Sequence, residues 1–277
     1  MTTATNAPRK TNAQAWYKPI ISPEHGVYVV LFASFAIGVA LAGQWNWATT
    51  LALICAFLGF QAEHPLVLQI KQRKSWKPRL LVWGGVYGGT ALVIAAYLCF
   101  IQSNALFPLL AIYSSAGLAL LVDAVAVFRR GQKSIVNEMV TFAAVCLAVP
   151  FAYIVTANSF TPTVVSFWAL CTLYFSGTIF SVKLRKVKDN EALRAAFKRF
   201  AVYHAIALLV ILTLYLTGWL SLIPALAFMV LLLKALFITI RLPWYRTVAI
   251  TRVATLETTS SLLFAITVII SLLPAKL

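Results

Sequence analysis

At 277 residues, the chain is 61% hydrophobic and only 11% charged, where a soluble domain is about half apolar. That composition excludes a water-soluble globular protein. The formal net charge of +16 would suggest nucleic acid in a soluble protein, but in a membrane protein Lys and Arg gather in the cytoplasmic connections, setting orientation and contacting anionic lipid. No nucleic-acid partner is expected.

Residues 1–20 carry basic side chains but no apolar h-region. They are expected to form a flexible, lipid-facing cytoplasmic tail rather than a cleaved signal, leaving 21–277 as one transmembrane domain. Nine apolar segments follow: Gly26–Gly43, Trp47–Leu68, Leu80–Ile101, Ala105–Phe128, Met139–Thr156, Val164–Val182, Phe200–Leu216, Leu220–Ile240 and Ala254–Leu273. Each is close to the roughly 20 helical residues that cross the hydrocarbon core. Strands are excluded, because lipid cannot satisfy their backbone groups without a closed barrel of shorter, alternating segments. The expected class is an all-α polytopic membrane bundle of about nine transmembrane helices.

Twenty-two of the 23 Lys and Arg residues lie in the tail, or in or near every second connection, leaving only Lys276. The N-terminus is therefore expected in the cytoplasm and the C-terminus on the far side. The outer links, Gln44–Asn46, Gln102–Asn104, Ala157–Thr163 and Thr217–Trp219, are short and uncharged, and predict antiparallel hairpins across them. Gly84, Gly85, Gly88 and Gly89 form two overlaid Gly-x-x-x-Gly pairs that admit a neighbouring helix. Pro150 and Pro224 predict kinks. Cys55, Cys99, Cys146 and Cys171 all sit within spans, have no CxxC spacing, and read as small core residues.

The second and sixth spans exit through the same string, Ile70-Lys71-Gln72-Arg73-Lys74 and Val182-Lys183-Leu184-Arg185-Lys186. A parallel duplication of a four-helix unit would produce this; so would coincidence in loops rich in Lys and Arg. Chemistry is confined to the same side. Glu24, Glu63, Asp123, Glu138, Asp189, Glu191 and Glu257, with His25, His64 and His204, all lie there or within a turn or two of it. Ionisable groups inside a span usually face a cavity or a partner. Asp123 and Lys234 enter the fourth and eighth spans to similar depth, which predicts a pair across helices; the alternative is that Lys234 snorkels to the interface.

Glu24-His25 opens the first span and Glu63-His64 closes the second. A carboxylate at a helix N-terminus is favoured by the macrodipole, whereas an imidazole there tends to stay neutral and free for proton or anion chemistry. No P-loop, His-Glu-x-x-His, Gly-x-Ser-x-Gly or dinucleotide fingerprint is present. No metal ligands are assigned, because no carboxylate pair sits where Mg²⁺ would be held between diphosphate oxygens.

The stretch Ser22-Pro23-Glu24-His25-Gly26-Val27-Tyr28, the exit Pro65-Leu66 with Ile70-Lys71-Gln72-Arg73, and Tyr174-Phe175-Ser176-Gly177-Thr178 before Val182-Lys183 resemble the YwiC-like family of bacterial integral membrane proteins. A more distant resemblance is to the UbiA superfamily of intramembrane prenyltransferases, also nine helices with polar loops after helices two and six. Asn137-Glu138-Met139-Val140-Thr141-Phe142 is similar to the Gly-Glu-x-x-x-Phe stretch of its menaquinone-type members. That likeness implies a UbiA-like arrangement, an isoprenoid substrate and Mg²⁺ held by Asp-rich motifs in those two loops.

Here Glu63-His64-Pro65 with the first basic string, and Lys183, Arg185 and Lys186 before Asp189 and Glu191, replace those motifs. Lys and Arg hold phosphate directly, Arg bidentately, which suits binding an anionic lipid better than cleaving it. The expected function is a cytoplasm-facing cavity for an isoprenoid or other anionic lipid, or a divergent transferase on such a lipid. Lys71, Arg73, Lys183 and Arg185 would hold the head, and Glu24, His25, Glu63, Glu138 and Asp123 would supply acid–base or positioning roles. The alternatives are a transporter of a small anion or metabolite, and an assembly subunit. The bacterial plasma membrane is the expected location, with a thylakoid-type internal membrane as the alternative.

Overall fold

A computed structural model describes residues 17–187 and 189–273. Most of the expected tail, and Lys276, lie outside them. Among the described residues nine helical spans are long and apolar enough to cross a membrane. They are built from α1 (His25–Ala42), α2 (Trp47–Lys71), α3 (Pro78–Ile101), α4 (Leu106–Phe128), α5 (Ile135–Cys146), α6 (Ala148–Ala157), α7 (Pro162–Lys186), α8 (Asn190–Leu216), α9 (Leu222–Ala227), α10 (Met229–Ile240), the short α11 (Leu242–Thr247) and α12 (Ile250–Leu272).

Two spans are broken, the ones that carry Pro150 and Pro224. The fifth divides at Leu147 into α5 and α6. Pro150 supplies no N–H to the carbonyl of Cys146 four residues back, and Phe151 N bonds Leu147 O at 2.9 Å instead. The eighth divides at Phe228, four residues beyond Pro224. Pro224 itself lies in the first turn of α9, where a missing N–H costs nothing, so it removes no hydrogen bond from that helix. On the basic side the helices outrun the apolar segments. The Asp189 carboxylate accepts from Ala192 N at 2.9 Å and starts α8 ten residues before Phe200.

Helices α1 and α6 form the centre. Gly38 brings them together so closely that a Cβ there would stand 2.2 Å from the carbonyl oxygen of Val149. Side chains of both helices feed two apolar clusters: one with α2, α3 and α4, the other with α5, α7, α8, α10 and α12. The closest sequential packing is α2 on α3 and α7 on α8, across the longer basic connections rather than the short outer links. Short links tether helix ends; they do not supply interdigitating faces. The Gly pairs divide accordingly. Gly84 and Gly88 face Leu66 and Ala62 on α2, whereas Gly85 and Gly89 look onto open space.

The uncharged end has its own polar closure. The last carbonyls of α6 are taken by amides: Gln44 Nε2 and Asn46 Nδ2 each bond Thr156 O at 3.1 Å, and Gln102 Nε2 bonds Val155 O at 2.8 Å. Helix ends buried in apolar surroundings need such partners.

Candidate functional site

The opening Ser22–Tyr28 stretch is explained by packing. Gln61 on α2 accepts from Ser22 N at 3.1 Å and donates to the Tyr28 hydroxyl at 2.6 Å, and that hydroxyl donates to Ser22 O at 3.0 Å. This clamp fixes how the chain enters α1. Glu24 and His25 stay exposed, and the Glu24 side chain makes no capping hydrogen bond. Glu63 is half-buried near the end of α2, within electrostatic reach of Asp123 and Glu24, and Glu24 also reaches His64. Electrostatics thus link Glu24, at the entry to α1, with Glu63 and His64 on α2, and Glu63 with Asp123 on α4. Among the described residues, however, no three His, Cys, Asp or Glu side chains gather closely enough to hold a metal ion. In the connection after α7, Asp189 is occupied as the cap of α8. The implied Mg²⁺ does not fit these residues.

Asp123 does not pair with Lys234. Asn137 Nδ2 donates to Asp123 Oδ1 at 2.6 Å and to Gln132 O at 3.1 Å. Lys234 instead meets Glu257 Oε2 at 2.7 Å, and Thr178 donates to the same oxygen at 2.8 Å. Nor does Lys234 snorkel: its side chain is 2% exposed. The two residues share a depth but not a neighbourhood, because α10 packs on α12 and α7 while α4 packs on α5, α2 and α6. His204 is buried as well, its Nδ1 2.7 Å from Phe200 O.

The second basic string is consumed by the fold. Lys183 Nζ lies 2.8 Å from Glu138 Oε2 and donates to Lys133 O at 2.7 Å. The Arg185 guanidinium donates to the carbonyls of Tyr245 and Val248, and Arg246 returns a bond to Val187 O at 2.6 Å. These reciprocal arginines pin α11 onto the end of α7. Beneath it the Tyr245 side chain is fully buried with its hydroxyl unpartnered. Burial pushes that phenol's pKa up, the Glu257 charge adds to the rise, and Arg185 opposes it. Lys183 and Arg185 are thus engaged by Glu138 and by backbone carbonyls.

The first string behaves differently. Helix α2 ends at Lys71, so the residues after it fan into a groove of about 910 Å³ between the α2–α3 and α4–α5 connections. Its cations are Lys71, Arg73, Lys74, Lys77, Arg130 and Lys133, and no carboxylate lines it. Arg73 donates to Phe128 O at 2.7 Å and stacks 4.2 Å over that ring, which holds the two connections together. Arg130 has φ 60°. It occupies the left-handed position after α4 that Gly normally fills, with Gly131 N bonded to Ala126 O at 2.7 Å. Lys74, Lys77, Arg130 and Lys133 received no role from sequence. Only the density of Lys and Arg in the two connections pointed to them.

Comparison with known proteins returns no match among curated proteins and none among solved structures. The family model for YwiC-like protein matches residues 21–153, which span α1 to the middle of α6 and include the Gln61 clamp, both Glu-His pairs and the whole basic groove. Over that stretch, 133 of the 277 residues, the chain is similar to the YwiC-like family.

Proposed function

We propose that this protein binds a membrane lipid with an anionic, phosphate-bearing head, such as a phosphorylated isoprenoid, at the cytoplasmic face of a bacterial plasma membrane. The observation that supports it is the groove itself: six Lys and Arg side chains and no carboxylate around about 910 Å³, beyond the end of α2 and beside the end of α4. A surface that only sets topology needs cations nearby, not gathered about a concavity. Arg130 adds to the case, because a left-handed residue other than Gly stores backbone strain, of order 1–3 kcal/mol, at a turn whose side chain lines the groove. Lys71 and Arg73 keep their expected role, Lys183 and Arg185 lose it, and Lys74, Lys77, Arg130 and Lys133 join. Glu63 and Asp123 lie deeper in the two helices that lead to the groove, α2 and α4. Prenyl transfer has less support, since ionising an allylic diphosphate calls for neutralisation that paired metal ions normally supply.

The test is native mass spectrometry of protein released from its own membrane in mild detergent. Wild type should carry a phosphorylated lipid, Lys74→Gln/Arg130→Gln/Lys133→Gln should lose it, and Lys183→Ala should keep it. Repeated wild-type preparations without any such lipid, or full retention by the triple variant, would overturn the proposal.

A further inference from the structure

Two cavities on the basic face share a wall. Beside the cationic groove lies a smaller one, of about 340 Å³, bounded by Ile20, Ile21, Leu68 and Leu80; Gln72 and Lys77 line both. The small cavity sets Pro19, Ile20, Ile21, Leu68 and Leu80 against the cations Lys77 and Arg79, an apolar wall that the large groove lacks. Its outer wall is the segment before α1, held by Arg79, whose Nε donates to Lys18 O at 2.9 Å and whose guanidinium reaches Pro19 O at 3.3 Å. The turn between the cavities is fixed by Gln69, which donates to Ser75 O at 3.1 Å and accepts from Lys77 N at 3.0 Å.

At the shared wall one polar atom is left over. Gln72 Oε1 is buried without a hydrogen-bond partner. Buried acceptors are nearly always satisfied, and an orphan between a cationic groove and a pocket with one apolar wall calls for a ligand that presents a donor there. Such a ligand has a phosphate on one side of the donor and a hydrocarbon tail on the other.

We infer that the two cavities form one cradle for a phosphorylated single-tail lipid, with its phosphate in the basic groove, the first part of its tail in the small pocket, and a hydroxyl at the junction donating to Gln72 Oε1. A volume near 340 Å³ is at the lower end of ligand pockets, about 300–1,000 Å³. It takes the head-proximal part of one tail and leaves the rest in the bilayer. The inference rests on the head site proposed above and adds the tail compartment and the hydroxyl requirement.

Full-length protein in zwitterionic-lipid nanodiscs is titrated by native mass spectrometry with three probes: glycerol 3-phosphate, lysophosphatidic acid, and its analogue lacking the free hydroxyl. Wild type should bind lysophosphatidic acid at least about tenfold more tightly than glycerol 3-phosphate, and about tenfold more tightly than the hydroxyl-free analogue. Ile21→Trp, which fills the pocket from its exposed wall, should bring lysophosphatidic acid to the level of glycerol 3-phosphate and leave the latter unchanged. Gln72→Leu should erase only the preference for the hydroxyl. Unaltered lysophosphatidic acid affinity in Ile21→Trp overturns the tail compartment, and a preserved hydroxyl preference in Gln72→Leu overturns the junction. Glycerol 3-phosphate binding that ignores Arg130→Gln overturns the head site instead, so the two readings fail separately.

Discussion

The two [Ile/Val]-Lys-x-Arg-Lys strings leave equivalent spans on the same face, yet one lines an open groove and the other is spent on holding the fold. The difference lies in where the helix stops. Helix α2 ends at Lys71, and the following residues turn outward. Helix α7 continues to Lys186, so Lys183 and Arg185 stay on a helical face, where they meet Glu138 and the carbonyls of α11. A matching string is therefore weak evidence of a matching role. The same contrast holds deeper in the bundle. Asp123 is met by a neutral amide, Asn137, whereas Lys234 is met by a full charge, Glu257. Asp123 thus lies buried beside a neutral partner, while Lys234 and Glu257 form an ion pair inside the bundle.

The largest expected effect comes from breaking that inner pair. Lys234→Met leaves the Glu257 carboxylate without its ammonium, with only Thr178 still donating to it, and the loss of one partner of a buried pair costs about 3–5 kcal/mol. Asp123→Asn, which removes a charge met only by an amide, should cost clearly less. Thermal unfolding of the two variants in the same detergent gives the comparison. If Lys234→Met melted no lower than Asp123→Asn, the C-terminal half would not depend on its internal ion pair. Restoring neutrality in Lys234→Met/Glu257→Gln should recover most of the loss.

A second comparison sets the centre of the bundle against its rim. Gly38→Ala places a methyl against the Val149 carbonyl and 2.9 Å from the Ala152 Cβ, and overpacking of this kind costs about 1–3 kcal/mol. Gly85→Ala meets nothing within 4 Å and should be neutral, or stabilising by about 0.5–1 kcal/mol because the helical chain is stiffened. Melting temperatures of the two variants moving in opposite directions would confirm that α1 and α6, rather than the Gly-rich α3, form the tightest joint.

How much of this was legible in the sequence follows from what each signal measures. Hydropathy and the one-sided charge located all nine spans, because both depend only on what each residue meets along the membrane normal. They report depth and not neighbourhood, which is why Asp123 and Lys234 were paired across helices that do not pack together. Pro150 announced the break at Leu147, whereas the break at Phe228 has no Pro or Gly beside it and left no mark. Glu257 was visible as an acid two turns inside α12, but its partner could not be assigned without knowing that α10 lies against it. Of the four cations expected to hold a head, Lys71 and Arg73 line the groove, whereas Lys183 and Arg185 meet a carboxylate and backbone carbonyls. Arg130 escaped notice because a left-handed turn is signalled by Gly or Asn, and here the position holds neither.

The smallest effect on stability, and the most direct on the contrast between the strings, comes from exchanging their arginines one at a time for Gln. Arg185 is half-buried and its two bonds to carbonyls hold α11 over Tyr245. Charged hydrogen bonds contribute about 1.5–3 kcal/mol each, but Arg246 still ties α11 to Val187, so Arg185→Gln should loosen α11 locally by about 1–2 kcal/mol of protection. Arg73 is exposed, and its bond and ring contact with Phe128 are each of the kind that contributes about 1 kcal/mol or less at a wet surface. Arg73→Gln should therefore leave hydrogen exchange in α2 and α4 nearly unchanged while weakening retention of the phosphorylated lipid. Hydrogen–deuterium exchange resolved to residues 242–249, run beside lipid retention, separates the two roles. Faster exchange there in Arg185→Gln with lipid retained, and the reverse in Arg73→Gln, is the expected pattern. If both variants lost the lipid to the same extent with α11 still protected, the strings would share one binding site, and the contrast between an open string and a closed one would be wrong.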